Sequence, residues 1–314
     1  MRGFGRILLV CQQSKRDEAA VECAVNLAVR AGAHLMVVDT VREVPADVKS
    51  TIAAIPARDL DKLVMAERAQ ALKAFIQPFQ REGLKLDTGI LTGTPFLEII
   101  KKVIRDNHDL VMITAEGRSG LRDRLLGDTS MHLMRKCPCP VWVVKPTRRR
   151  FRRILAAVDT APEQETQCQR LNEKIMDVAD NLATMIGAEL HVVHAWRFIY
   201  ETFLMNRAGI PPAEVGRYVR DVSVAHQHEL ERLLEGYSTV ADWRRQVHFL
   251  KGDPATIIPA LTRRKGFELV VMGTVGRAGI AGLLIGNTAE RILQQADCSV
   301  LGVKPEGFTT PVKV

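Results

Sequence analysis

The chain has 314 residues, 46% of them hydrophobic and 25% charged, with a formal net charge of +8. That mixture is globular and excludes a disordered or fibrous chain, and the length accommodates two domains of ordinary size. No run reaches the roughly 18 apolar residues of a spanning helix, and six cysteines without a dense spacing suit a reducing compartment, so a cytoplasmic protein is expected.

In chain order, the first apolar run, Ile7 to Cys11, reads as a buried strand rather than a signal peptide. The segment from Pro45 to Phe79 carries Ile55, Leu60, Leu63, Val64 and Met65 and reads as a crossover whose helix packs on a sheet. "KCPCPVW" holds Cys137 and Cys139, but it lacks the C-x-x-C spacing and two further ligands, so small apolar packing is expected there. Val141 to Val144 follows as a strand. The densest basic run, "KPTRRRFRRIL" with Arg148, Arg149, Arg150, Arg152 and Arg153, has no interleaved aromatic set beyond Phe151. It reads as a solvated linker at a domain junction, not a nucleic-acid contact.

From this junction the chain repeats itself. "FGRILLVCQQ" from Phe4 lies over "FRRILAAVDT" from Phe151, an offset of 147 residues, and "HDLVMITAEGRSGLRDRLLGDT" from His108 lies over "FELVVMGTVGRAGIAGLLIGNT" from Phe267, an offset of 159. The pairs Gly93/Gly252, Gly127/Gly286 and Cys139/Cys298 keep the second offset. The chain is therefore two copies of one unit, the second 12 residues longer between its first and third strands. A period of this size means tandem domains, placed at 1–147 and 148–314, rather than a solenoid.

The second copy supplies the element order. A strand over Ile154 to Val158 precedes a helix, "LNEKIMDVADNLATMIG", whose Gly187 fits a left-handed stop. "AELHVVHAW" is the second strand. A long insertion from Phe198 to Tyr237, with Phe203, Leu204 and Met205, contains another helix before the strand Val247 to Leu250. After "KGDPATIIPALTRRKG" come the strand "ELVVMG", a glycine-rich stretch, a helix and a last strand, "CSVLGVKP". This alternation predicts an α/β fold of two Rossmann-like domains, each a five-stranded, mainly parallel sheet with helices on both faces. In such sheets ligands sit beyond the strand carboxyl ends, where the strand order reverses. Strand one, ending near Asp159, and strand four, ending at Gly273, meet at that edge.

The glycines of "MGTVGRAGIAGLLIGNTAERIL" answer to two readings. They let backbone N–H groups close on a phosphate at a helix start, or they serve tight turns. Elsewhere, His226 and His228 are i, i+2 on a helix and do not share a face, and His194 at the end of strand two reads as a hydrogen-bonded strand-end residue.

The spacing G-x2-G-x9-G at Gly273, Gly276 and Gly286, the strand-one Asp159 and the "GDP" turn after strand three resemble the universal stress protein family in its tandem, two-domain form. The likeness covers nearly all of both copies. It implies the adenine nucleotide alpha hydrolase-like variant of the Rossmann fold, with pairing of the two last strands, Val141 to Val144 and Val300 to Val303. It further implies an ATP-like adenine nucleotide in the second copy, with Ala157, Val158, Asp159 and Ala195 at the adenosine end and Met272 and Gly273 at the ribose. Gly276, Arg277, Gly286, Asn287 and Thr288 would surround the phosphates. Where the family pattern has Ser or Thr after the last glycine, this chain has Asn287, an amide that offers no hydroxyl to a phosphate-bound magnesium; Thr288 follows it.

The first copy departs further. Gln12 replaces Asp159, Thr114 replaces Gly273, and Glu116 and Asp128 stand beside Gly117 and Gly127. Those carboxylates repel a triphosphate, so no ATP is expected there. With no G-x-x-x-x-G-K-[ST] and no lysine in the loop, ligand-dependent signalling in a stress response is expected over catalysis. A weak ATPase, an interaction scaffold, and a binder of an apolar or lipid-like molecule held between the crossover segments are the alternatives. The resemblance implies a protein partner in stress signalling and allows a homodimer of tandem chains.

Overall fold

The computed structural model describes residues 3–45, 56–115, 127–146, 151–162, 166–206, 209–275 and 285–313. The first half contributes β1 (Arg6–Val10), α1 (Glu18–Ala31), β2 (His34–Val41), α2 (Ala57–Ile76), β3 (Lys85–Thr92), α3 (Pro95–Asp106), β4 (Leu110–Thr114), α4 (Asp128–Lys136) and β5 (Val141–Val144). The second contributes β6 (Arg153–Val158), α5 (Thr166–Ile186), β7 (Glu189–Trp196), α6 (Glu201–Asn206), α7 (Pro212–Leu234), α8 (Trp243–Gln246), β8 (Val247–Lys251), α9 (Pro254–Lys265), β9 (Leu269–Gly273), α10 (Asn287–Gln295) and β10 (Ser299–Val303).

All ten strands form one sheet, ordered β3-β2-β1-β4-β5-β10-β9-β6-β7-β8. Every neighbouring pair is parallel except β5 with β10, which run antiparallel with Leu301 opposite Trp142. The central strands are buried on both faces, which is why they read as unbroken apolar runs rather than alternating ones. Helices α1, α2, α5 and α7 cover one face, and α3, α4, α9 and α10 the other. The left-handed glycine after α5 is where the sequence puts it: Gly187 has φ of 68°.

The halves are tied by a reciprocal exchange of lysines. Lys145, just past β5, donates from Nζ to the Ala296 carbonyl at the end of α10, 2.6 Å away. Its counterpart Lys304, just past β10 and buried, donates to the carbonyls of Met134 and Arg135 at the end of α4. Each ammonium thus meets the negative end of a helix in the other half. Burial pulls the Lys304 ammonium down to about 8. Arg135 Nη2 and Glu290 Oε1, 2.7 Å apart, add an ion pair across the same seam.

The crossover helices depart from expectation. Leu63, Met65, Phe203 and Met205 are exposed instead of packed on the sheet. In α2 the buried positions are Leu72 and Ile76, in its later turns, and the six-residue α6 is too short to build a continuous apolar face. Ile55 and the basic residues Arg148, Arg149 and Arg150 lie outside the described residues. Cys137 and Cys139 are buried in the second core cluster with their sulfurs 3.6 Å apart, and burial pushes the Cys298 thiol up to about 12, so all three pack as small apolar groups.

Candidate functional site

Strand order in the second half reverses between β6 and β9, so the crevice beyond their carboxyl ends is the natural ligand position. Register brings the expected residues to this edge. Ala157 is opposite Met272, Val303 is opposite Gly273, and Val158 is opposite His194, which sets Asp159 level with Ala195. Asp159 is exposed immediately after β6. Its backbone is clamped by one side chain from α5: the Asp159 N–H donates to Asn172 Oδ1 at 3.0 Å, and Asn172 Nδ2 donates to the Asp159 carbonyl at 2.7 Å.

The glycine-rich segment is anchored at both feet. The Thr274 N–H donates to the Val303 carbonyl (3.1 Å), and the Gly286 N–H donates to the Thr274 carbonyl (2.9 Å). That second bond sets the start of α10 beside the end of β9. The first helical bond of α10 runs from Glu290 N–H to the Gly286 carbonyl, and among the described residues no side chain caps the helix. The N–H groups of Asn287, Thr288 and Ala289 therefore precede the intrahelical ladder, at the positive end of the helix dipole. Asn287 and Thr288 are exposed there. Arg291, one turn along, reaches Asp253 in the turn after β8 at 3.1 Å. Gly276 and Arg277, with Gly279 and Gly282, lie outside the described residues.

Gly273 has a packing role that its motif position does not reveal. A Cβ there would come 2.9 Å from Leu171 Cδ2 on α5. Gly252, with φ of 142°, makes the turn after β8 and donates its N–H to the Trp196 carbonyl.

Behind Asp159 a buried polar cluster holds the strand ends. His194 is fully buried and has Nδ1 3.3 Å from the Thr160 N–H; its Nε2 is 2.9 Å from His226 Nδ1, which lies 2.9 Å from the Thr160 carbonyl. His194 is thus a hydrogen-bonded strand-end residue, as its position implied. His228, two residues from His226, is exposed.

The first half fills the equivalent ground differently. Asp39 corresponds on β2 to His194 on β7: each lies five residues beyond the first pair of its ladder, Arg6 opposite His34 and Arg153 opposite Glu189. Its fully buried carboxylate accepts from Gln13 Nε2 at 2.8 Å and from the Thr40 N–H at 2.7 Å, and pairs with Arg68 Nε at 3.3 Å. Burial pushes this carboxyl up, against the opposing pull of Arg68. Gln13 is in the left-handed region, φ 61°, and also donates to the Arg68 carbonyl, so side chains from the first half occupy the edge above β1 and β2. Asp128 is the first residue of α4, so a carboxylate stands in the first turn where α10 has the neutral amide of Asn287; both helices begin after a glycine. Glu116 and Gly117 lie outside the described residues.

Sequence reasoning missed Asn172, although its signal was present. It lies on the buried stripe of α5 with Ile175, Met176, Ala179 and Leu182, and a lone amide on an apolar stripe marks a polar group with a task.

The model of the Universal stress protein family matches residues 3–145 and again 150–304. Relatives named Universal stress protein E align end to end: 28% identity over 318 residues in Escherichia coli strain K12, covering 100% of this chain and 98% of the relative. In Photorhabdus laumondii the figures are 24% over 316 residues, covering 100% and 99%. Among solved structures, a functionally unknown protein from Pseudomonas aeruginosa PAO1 superposes with TM-score 0.75 at 22% identity, covering 98% of this chain and 95% of that one. A universal stress protein from Archaeoglobus fulgidus does so at 0.59 and 20%, covering 97% and 98%. At these identities the solved structures speak to the fold alone.

Proposed function

Because the chain belongs to the universal stress protein family over both of its halves, we propose that its second half is a receptor for an ATP-like adenine nucleotide in a cytoplasmic stress response. Binding, rather than turnover, is the signal it passes to a protein partner. The observation that carries this reading is the bond from the Gly286 N–H to the Thr274 carbonyl, which puts an uncapped helix start across the switch-point crevice from the exposed carboxylate of Asp159. Phosphate oxygens are acceptors and suit the N–H groups of Asn287 and Thr288, while the Asp159 carboxylate accepts from ribose hydroxyls or the adenine amine. The Asn172 clamp holds that carboxylate's backbone before ligand arrives, which lowers the ordering cost of binding. Gly276 and Arg277 complete the phosphate side in this reading. Magnesium, if carried in with the phosphates, takes its hydroxyl ligand from Thr288 rather than Asn287.

The first half is read as a non-binding partner. Asp128 puts a negative charge in the first turn of α4, which opposes a phosphate there, and the Gln13–Asp39–Arg68 network fills the edge equivalent to the adenosine end. Calorimetry with ATP is therefore expected to give one site per chain. Asp159→Ala should weaken that site about 10- to 100-fold, the loss of one hydrogen bond to a charged group, and Gly276→Val should abolish it. Two equal sites, or no nucleotide retained on native mass spectrometry of the gently purified protein, would overturn the reading.

A further inference from the structure

A second cavity lies away from the nucleotide crevice, on the seam between the halves. It has a volume of about 810 Å³, within the range of about 300–1,000 Å³ usual for small-molecule sites. Three elements distant in sequence wall it: the end of α3 with Val103 and Ile104, the α5 face with Val178 and Leu182, and the C-terminal segment with Phe308 and Val312. Val312 packs against the second core cluster, and Lys304 Nζ stands 4.7 Å from the Phe308 ring, so the C-terminal segment is held in place as a wall.

The polar groups in this wall decide the ligand's charge. Asp109 is already engaged, its carboxylate accepting from the N–H groups of Gly5 (2.7 Å) and Arg6 (3.0 Å). Asn181 donates Nδ2 to the Asp177 carbonyl, which leaves its side-chain oxygen as an acceptor. His108 is a buried wall residue whose imidazole burial keeps toward the neutral form. Lys174 is the one cation in the lining. The carboxylate opposite it in charge, Glu306, lies 3.8 Å from Arg170, and Lys174 forms no ion pair within 4.0 Å among the described residues. One unpaired ammonium balances a monoanion. A phosphate dianion would leave a net negative charge beside Asp109 and Glu306.

We propose that this inter-half cavity is a binding site for a single-chain hydrocarbon carboxylate, with the chain along the α3, α5 and C-terminal walls and the carboxylate on Lys174. The site differs in place and in ligand from the apolar cavity expected between the crossover segments, since neither α2 nor α7 lines it. Helix α5 serves both ligand positions of the protein: its first turns carry Leu171 and Asn172 toward the nucleotide edge, and Lys174, Val178 and Asn181 line the seam cavity.

The test is a fluorescence titration of the delipidated full chain with cis-parinarate, competed by oleate and by oleyl alcohol. One saturable parinarate site per chain is expected, with oleate competing about tenfold better than the alcohol. Lys174→Met should remove that preference while leaving alcohol competition unchanged. Asn181→Phe should fill the cavity and abolish binding while one-site ATP calorimetry persists, and Thr310→Trp on the C-terminal wall tests the same volume if Asn181→Phe does not fold. Absence of saturable binding, or binding retained in a folded filling variant, would overturn the proposal. Equal competition by acid and alcohol in the unsubstituted protein would overturn the carboxylate assignment. Because ATP and parinarate are read separately, failure at the seam and failure at the nucleotide crevice are distinguishable.

Discussion

Gly302→Val is expected to destabilise the protein by about 2–3 kcal/mol, the upper range for overpacking a dense interior, and to loosen the two halves together. Gly302 sits in β10 opposite Val141, on the one antiparallel seam of the sheet. A Cβ at this position would lie 2.5 Å from Met134 Sδ, reaching in from α4 of the first half, and 2.6 Å from Thr274 Cγ2. Met134 is unbranched and can rotate away. Thr274 cannot: it is β-branched, fully buried, and fixed through its N–H to Val303 and its carbonyl to Gly286. Any relief must therefore shift the foot of the glycine-rich segment, so nucleotide affinity should fall with stability. Urea unfolding with parallel ATP calorimetry checks both. A variant with the native midpoint would show that the seam has more room than this geometry allows.

Acidification from about pH 6.5 to 4 is expected to remove roughly 3 kcal/mol of stability through His248 alone. The rings of His248 and His191 lie nearly parallel with centroids 5.3 Å apart and His248 Nε2 3.2 Å from His191 Nδ1, and Phe267 stands edge-on to both. Burial first, then the charges of His191, Lys265, Arg153 and Arg264, pull His248 down to about 4. His191 is lowered by burial against the opposing pull of Glu189. The sign follows from proton counting. In the window between 4 and 6.5 the unfolded chain binds the proton that the folded one refuses, so the contribution is complete above pH 6.5 and is lost as pH falls toward 4. His248→Phe keeps an aromatic ring beside Phe267 and removes both this titration and the contact with His191 Nδ1, so its midpoint at pH 7 falls while its acid limb should be flatter than that of the unsubstituted chain. Urea midpoints taken from pH 7 to 4.5 on both proteins read the difference. Identical pH slopes would refute the assignment.

Much of the architecture was legible because it depends on local chemistry. Strands buried on both faces must be apolar throughout, and Ile7 to Cys11, Ile154 to Val158 and "ELVVMG" are. A helix that stops in a left-handed residue favours glycine, and Gly187 is there with positive φ. The switch-point crevice was legible in part: strand order brings the ends at Asp159 and Gly273 to one edge, while Ala195 and the phosphate-side role of Gly286 entered only through the resemblance to the family. The Asn172 clamp was not read, because a clamp is a relation between a helix and a strand end 13 residues apart. The outward exposure of Leu63 and Phe203 was misread for a related reason: apolar content alone does not say which turn of a helix meets the sheet.

The sequence by itself determined the doubling of one α/β unit, the parallel order within each half, and the asymmetry between a second copy that keeps all three motif glycines and the strand-one aspartate and a first that has Thr114 and Gln12 in place of Gly273 and Asp159. Each follows from periodicity or residue identity along a continuous stretch. The expected pairing of the last two strands joins the halves into one ten-stranded sheet, and the tertiary structure alone decided that they run antiparallel with Leu301 opposite Trp142, that Lys145 and Lys304 exchange across the seam, and that a cavity opens between α3, α5 and the C-terminal segment. These features arise where residues more than a hundred positions apart meet. Burial, ammonium placement and cavity shape at such a junction depend on how two surfaces fit, and no local pattern encodes that fit.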